Sequence, residues 1–175
     1  ETEPGEQATR ARSIQVHGEN VSRGMAGQRV AVNLSGLERD EVKRGEWLTD
    51  PRVQTTTDRM DCFFELRPGA PRPLKSFDRV RLYLATREVL GRVILLGDSQ
   101  ELAPKSSSWC QIVLEEPVLA ASGDRFVART ETGSRTAGGG VIVHPFAPRH
   151  RRDSPDLISN LETLQSGTLE ERIQA

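Results

Sequence analysis

The chain has 175 residues with 28% charged, 5% aromatic, 15 Gly and 10 Pro, and its formal net charge at pH 7 is −1. That length holds one ordinary domain or two small ones, and the Gly/Pro content suits short strands joined by turns. The near-zero charge excludes nucleic-acid binding by bulk electrostatics, and the lack of an apolar run of ~18 residues or a signal-like segment excludes a helical membrane span and export.

Residues 1–7 form a polar lead-in with a Pro4-Gly5 turn. Ala8 to Val16 reads as a basic strand ending at His17-Gly18. From Ala26 to Leu34 the sequence alternates, with Val30, Val32 and Leu34 on one face and Arg29 and Asn33 on the other. Gly36 to Arg44 is charged, with Leu37 and Val42 as apolar anchors, and Gly45 to Thr49 is expected to be a last short strand before Asp50-Pro51. Pro51 marks a boundary because the residue before a proline is steered out of helix.

Residues 52–152 hold 16 Lys/Arg against 11 Asp/Glu, whereas the flanks are acidic, so the middle is the basic part. Arginine predominates over Lys43, Lys75 and Lys105, and its planar fork suits phosphate and carboxylate pairing; a coding bias toward arginine would give the same count. Strands are predicted at Val53–Leu66, Arg79–Leu84, Glu88–Leu96, Trp109–Leu114, Pro117–Ala121, Phe126–Arg129 and Val141–Val143. Seven short strands separated by turn clusters fit a closed Greek-key barrel. Between the last two, a polar loop carries Arg135 and Thr136, followed by Gly138, Gly139 and Gly140. No Lys-Ser or Lys-Thr follows these glycines and a strand comes next, which excludes a phosphate loop. A bulge at a barrel corner is the favoured reading, a ligand loop the other.

Cys62 and Cys110 have no Cys-x-x-Cys spacing and no histidine at ligand spacing, so both are expected to be small buried apolar residues of a reduced protein. Arg149 to Arg152 is a basic linker, and Ser154-Pro155 reads as N-cap and first position of a helix. Leu157, Ile158, Leu161 and Leu164 form its apolar stripe, Gly167 ends it, and Thr168 to Glu171 reads as a capping box opening another helix. No catalytic constellation emerges: His17, His144 and His150 are scattered, and Asp98 and Asp124 read as turn residues. On the residues alone, Arg29 reads as an exposed or salt-bridged arginine.

The segment Phe126-x-x-Arg129 followed by Arg135-Thr136-Ala137-Gly138-Gly139-Gly140-Val141-Ile142 resembles the end of the third domain of the elongation factor Tu class. Ala137 stands where that class has a branched apolar residue and Gly139 where elongation factor Tu has alanine, and the loop is longer and more polar. Three further segments, Arg12 to Gly18, Ala26 to Gly36 and Arg44 to Leu48, look like the second half of domain two of the bacterial selenocysteine-specific elongation factor. Gly27-Gln28-Arg29 separates it from elongation factor Tu. The likeness covers residues 10 to about 148.

That resemblance implies an all-β chain with two consecutive translation-factor barrels: residues 1–51 as a barrel truncated at its N-terminus, 52–148 as a second barrel, and 149–175 as a linker into a helical, winged-helix-leading region. It implies delivery of selenocysteinyl-tRNA to the ribosome at recoded UGA codons. Arg29, Gln28 and His17 would contact the aminoacyl group, and Arg129, Arg135 and Gly139 the tRNA body. It also implies no catalytic or metal residue in this stretch, with GTP and Mg bound by an N-terminal domain and the selenoprotein mRNA hairpin by C-terminal domains. Glu1 in place of Met fits a piece of a longer chain. A cytoplasmic monomer that binds no membrane is expected. The alternatives are a fragment of another elongation factor Tu-like GTPase and a purely structural barrel pair.

Overall fold

The structure, a computed structural model, describes residues 7–50, 56–150, 156–168 and 170–171. The chain separates into two compact units, residues 1–54 and 55–175. Among the described residues the assigned elements are eleven strands and helix Leu157–Ser166, so the all-β reading holds.

The first unit is a three-stranded antiparallel sheet, β1 (Arg10–Val16), β2 (Glu19–Val21) and β3 (Val30–Ser35), in the order β2-β1-β3. Its hairpin turns through His17 and Gly18, both left-handed at φ 53 and 85. A two-residue turn of that kind matches the twist of the paired strands, and glycine adopts it without the Cβ penalty that histidine meets. β3 alternates as its sequence predicts, with Val30, Val32 and Leu34 half-buried and Ala31 and Asn33 exposed. The strand expected at Gly45–Thr49 does not form. Gly45 is left-handed at φ 98, the Glu46 carboxylate accepts the Lys43 N–H at 3.0 Å, and Trp47 and Leu48 are exposed. A strand needs a neighbour for its N–H and C=O groups, and no described strand lies alongside this one.

The second unit is a closed antiparallel barrel. Its strands are β4 (Thr56–Leu66), β6 (Arg79–Leu84), β7 (Arg87–Leu95), β9 (Ser107–Leu119), β10 (Arg125–Thr130) and β11 (Thr136–His144), in the order β10-β11-β4-β9-β7-β6. A separate short ladder joins β5 (Leu74–Lys75) to β8 (Glu101–Leu102). The residues expected to open the first barrel strand, from Val53, lie outside the described residues. The two strands expected at Trp109–Leu114 and Pro117–Ala121 are one strand with a bulge: Arg59 pairs with Val113 but Thr57 pairs with Val118. Pro117 donates no ladder bond, so it sits where the ladder is interrupted. Met60, Cys62, Phe64, Leu82, Val93, Cys110, Ile112 and Ile142 fill the interior with no exposed surface. Cys62 and Cys110 are opposite each other on β4 and β9, and burial pushes both thiols up.

A second apolar cluster lies on the outside of the barrel. Helix α1 (Leu157–Ser166) seats Leu161, with Leu157, Ile158 and Leu164, against Leu96, Trp109, Val143, Val141 and Phe63. The Phe63 and Trp109 rings meet edge to face at 5.0 Å, a favoured aromatic geometry. The predicted Ser154-Pro155 start lies outside the described residues; the described N-cap, Asp156, makes no side-chain cap bond. Gly167 ends the helix, and the capping box forms with Thr168 N–H donating to Glu171 Oε2 at 2.7 Å.

Candidate nucleic-acid interface

The outer faces of β10, β6 and β7 make one polar surface. Because side chains alternate along each strand, burying Phe126, Ala128, Val80, Leu82, Leu84 and Val89 turns Val127, Arg129, Arg79, Arg81, Tyr83, Glu88 and Arg92 outward. The register sets Arg129 opposite Arg81, and Tyr83 between Val127 and Glu88. Two guanidinium groups directly opposite repel. Glu88 offsets this: its carboxyl is held below the usual range by hydrogen bonds from Arg81 and Tyr83, and the Arg129 charge adds to the effect.

Of the four arginines on this face, Arg79 and Arg81 are ion-paired, and Arg92 and Arg129 form no ion pair with a described residue. Arg79 pairs with Glu115 and with Glu131, the latter at 2.6 Å, and its pKa is raised, first by the hydrogen bond to Glu115. Arg81 pairs with Glu88 and donates through Nε to the Glu131 carbonyl at 3.1 Å. Arg129 differs. It is half-buried, with its guanidinium 5.9 Å from the centre of the Tyr83 ring, and its buried Nε has no hydrogen-bond partner. No carboxylate lies at ion-pair distance from it among the described residues. The guanidinium lies within cation–π range of the Tyr83 ring, and its charge acts on Glu88 without forming an ion pair with it.

The loop after β10 is tight. Thr130 N–H donates to the Arg135 carbonyl at 2.8 Å and Gly133 N–H to the Thr130 carbonyl at 2.7 Å, and Gly133 is left-handed at φ 71. The turn leaves the Arg135 side chain exposed. Gly139 is not in that loop. Gly138, Gly139 and Gly140 all lie within β11, where Gly139 pairs with Val127 on one side and Glu65 on the other. A Cβ at the three positions would lie 2.2 Å from the Glu65 oxygen, 2.5 Å from the Phe126 oxygen and 2.1 Å from the Phe63 oxygen. The glycines therefore let β4, β11 and β10 approach closely, and the expected bulge falls just before them, where the register shifts between Ala128 and Arg129.

In the first unit His17, Gln28 and Arg29 lie at one end of the sheet, since Val16 pairs with Val30. Met25 to Gln28 is a turn closed by Gln28 N–H to the Met25 carbonyl at 3.2 Å, with Gly27 left-handed at φ 84, and the Gln28 side chain accepts the Met25 N–H at 2.7 Å. Arg29 stands just before β3, not within it, and is exposed with no ion pair to a described residue. His17 occupies the hairpin turn, which gives it a backbone role.

Sequence reasoning missed Tyr83. Its strand was legible as having a polar face, but the neighbour that makes Tyr83 matter lies on β10, and only the pairing of β6 with β10 brings them together. Also missed was the group that buried Asp61 and Gln111 form with half-buried His150. Among the described residues no three His, Cys, Asp or Glu side chains gather as metal ligands, and no helix is long and apolar enough to cross a membrane.

Residues 63–149 match the family model described as selenocysteine-specific elongation factor, beta-barrel domain. The chain is 34% identical over 172 residues to a selenocysteine-specific elongation factor of Desulfomicrobium baculatum, covering 98% of this chain and 27% of that relative. It is 31% identical to the one from Haemophilus influenzae over 78% of this chain and 22% of the relative, and 27% identical to the one from Escherichia coli over 89% and 23%. The chain thus spans about a quarter of the length of the curated relatives it matches.

Proposed function

The chain belongs to the selenocysteine-specific elongation factor family, and on that premise we propose that it is the section of such a factor that holds selenocysteinyl-tRNA during delivery to the ribosome. The second unit supplies contacts to the tRNA body through Arg129 and Arg135. The first supplies contacts to the aminoacyl group through Arg29, with Gln28 shaping the turn before it and His17 at the same end of the sheet. GTP and Mg belong to another section of the protein, as does the grip on the messenger hairpin, and the factor works as a cytoplasmic monomer. These 175 residues carry no catalytic step in this reading.

The observation that carries the proposal is the state of Arg129. On a face where Arg79 and Arg81 are paired with carboxylates, the Arg129 guanidinium lies within cation–π range of the Tyr83 ring, forms no ion pair with a described residue and has a buried Nε without a hydrogen-bond partner. Phosphate is an acceptor suited to such a fork, and contacts of that kind position a nucleic acid without reading its sequence. The test is tRNA binding by this chain across a salt series. Binding should be weak and salt-dependent, and Arg135→Ala should lower it and flatten the slope of log K against log salt by about one phosphate. A slope equal to the parent's would remove Arg135 from the interface, and no binding by any variant would favour the structural barrel pair.

Arg29 bears on the choice of amino acid. An exposed guanidinium without an ion pair offers a selenolate a charge-assisted contact worth roughly 1.5–3 kcal/mol and offers uncharged serine none. In a full-length factor with GTP, Arg29→Ala should weaken selenocysteinyl-tRNA by up to about a hundredfold relative to seryl-tRNA, since each 1.4 kcal/mol is tenfold. Equal losses for the two tRNAs would assign Arg29 to the tRNA body or to the strand.

A further inference from the structure

The outer face of β4 and β9 carries two different seats side by side. Phe63 and Trp109 support α1, and two residues along the same strands Asp61 and Gln111 are almost fully buried at 1% and 2% exposure. What covers this polar pair is the segment that follows β11. His150 Nε2 lies 2.6 Å from Asp61 Oδ2, and Gln111 Nε2 donates both to Asp61 Oδ1 and to the Pro148 carbonyl, each at 2.9 Å. Arg59 Nη1 completes the group by donating to Gln111 Oε1 at 2.8 Å.

We propose that this group is a clip: the Asp61–His150 contact straps residues 145–150 to the barrel and so decides whether α1 stays seated on it. Three features support a clip in preference to ordinary packing. A buried carboxylate is costly unless paired, so the strap's histidine and the barrel's aspartate satisfy each other only when the strap is down. Helix α1 has ten residues, no side-chain N-cap bond, no acidic residue in its first turn and no basic residue in its last. A helix that short is marginal by itself, so its order depends on the aromatic seat. The strap also precedes the helix in the chain, so holding it down keeps α1 near the barrel at high effective concentration, and opening the clip lowers that concentration. The device thus converts one polar contact on β4 into the presence or absence of a helix on the barrel, fixing or freeing the chain that leaves it.

Hydrogen exchange of the 175-residue chain tests this. In His150→Ala the amides of α1 should exchange at least about tenfold faster, while those of β6, β7 and β10 keep the parent's protection. His150→Gln, which retains a side-chain donor, should recover part of the loss, and Asp61→Asn combined with His150→Ala should add little to His150→Ala alone because both act through one contact. Trp109 gives a second readout: in a Trp47→Phe background its fluorescence should become more accessible to acrylamide when His150 is replaced. Unchanged α1 exchange in His150→Ala would overturn the proposal. So would acceleration spread evenly over the barrel strands, or failure of His150→Ala to fold, since either makes the pair a support for the whole barrel.

Discussion

Gly140 lies between Phe126 and Phe64, and a methyl group there would meet the Phe63 carbonyl at 2.1 Å and the Phe126 ring at 2.9 Å. No side-chain rotation relieves a clash with backbone, so the strands themselves would have to part. Gly140→Ala should cost about 3 kcal/mol, the upper range for overpacking, and lower the melting temperature by about 10 °C or more. Gly139→Ala, with its nearest clash at 2.5 Å, should follow the same course. The alternative, that the glycines form a ligand loop, predicts loss of RNA binding with little change in melting temperature, so thermal denaturation of the two variants decides between the readings.

The turn from Lys75 to Asp78 shows how an element is held against its own preference. Phe77 is 60% exposed and left-handed at φ 72, a conformation that bulky residues avoid. Asp78 maintains it, accepting the Lys75 N–H at 2.8 Å and Arg72 Nη1 at 2.6 Å, while Phe77 N–H donates to the Val93 carbonyl at 2.7 Å. Burial pushes the Asp78 carboxyl up, but the Arg72 and Lys75 contacts outweigh it and leave the pKa below its ordinary value. A depressed carboxylate contributes stability that is present above the unfolded-state pKa and lost as pH falls through the folded one. The turn should therefore loosen below about pH 4. Asp78→Asn should lose about 1 kcal/mol at neutral pH and show a smaller drop in melting temperature between pH 6 and pH 3 than the parent. An equal drop in the two proteins would remove Asp78 from the acid response.

At the scale of the molecule the two units differ in how their cores close. The barrel joins its strands into a ring with no free edge and buries a continuous interior. The sheet of the first unit has three strands, two edges without a described neighbour and Val16 as its one buried apolar residue among those described. Amides of residues 10–35 should accordingly exchange faster than those of residues 79–128. Equal protection in the two stretches would mean that something other than its own sheet stabilises the first unit.

Alternation was enough to reveal the strands at Arg79, Glu88 and Phe126, because a half-buried strand must change face at every residue and its apolar set shows directly. The Leu157 stripe, the Gly167 stop and the Thr168 to Glu171 box were legible for the same reason: each depends on residues within a few positions of one another. The fate of Gly45–Thr49 was not, since a strand exists only if another supplies its hydrogen bonds. Nor was the work of Gly138 to Gly140, which depends on carbonyls of β4 and β10 far away in sequence. Arg129 and Arg135 could be picked out from the sequence as cations, but the approach of Arg129 to the Tyr83 ring, without an ion pair to a described residue, appeared only when β6 was laid beside β10. The clip of Asp61, Gln111 and His150 belongs wholly to the tertiary structure, because 89 residues separate its aspartate from its histidine and no local pattern links them.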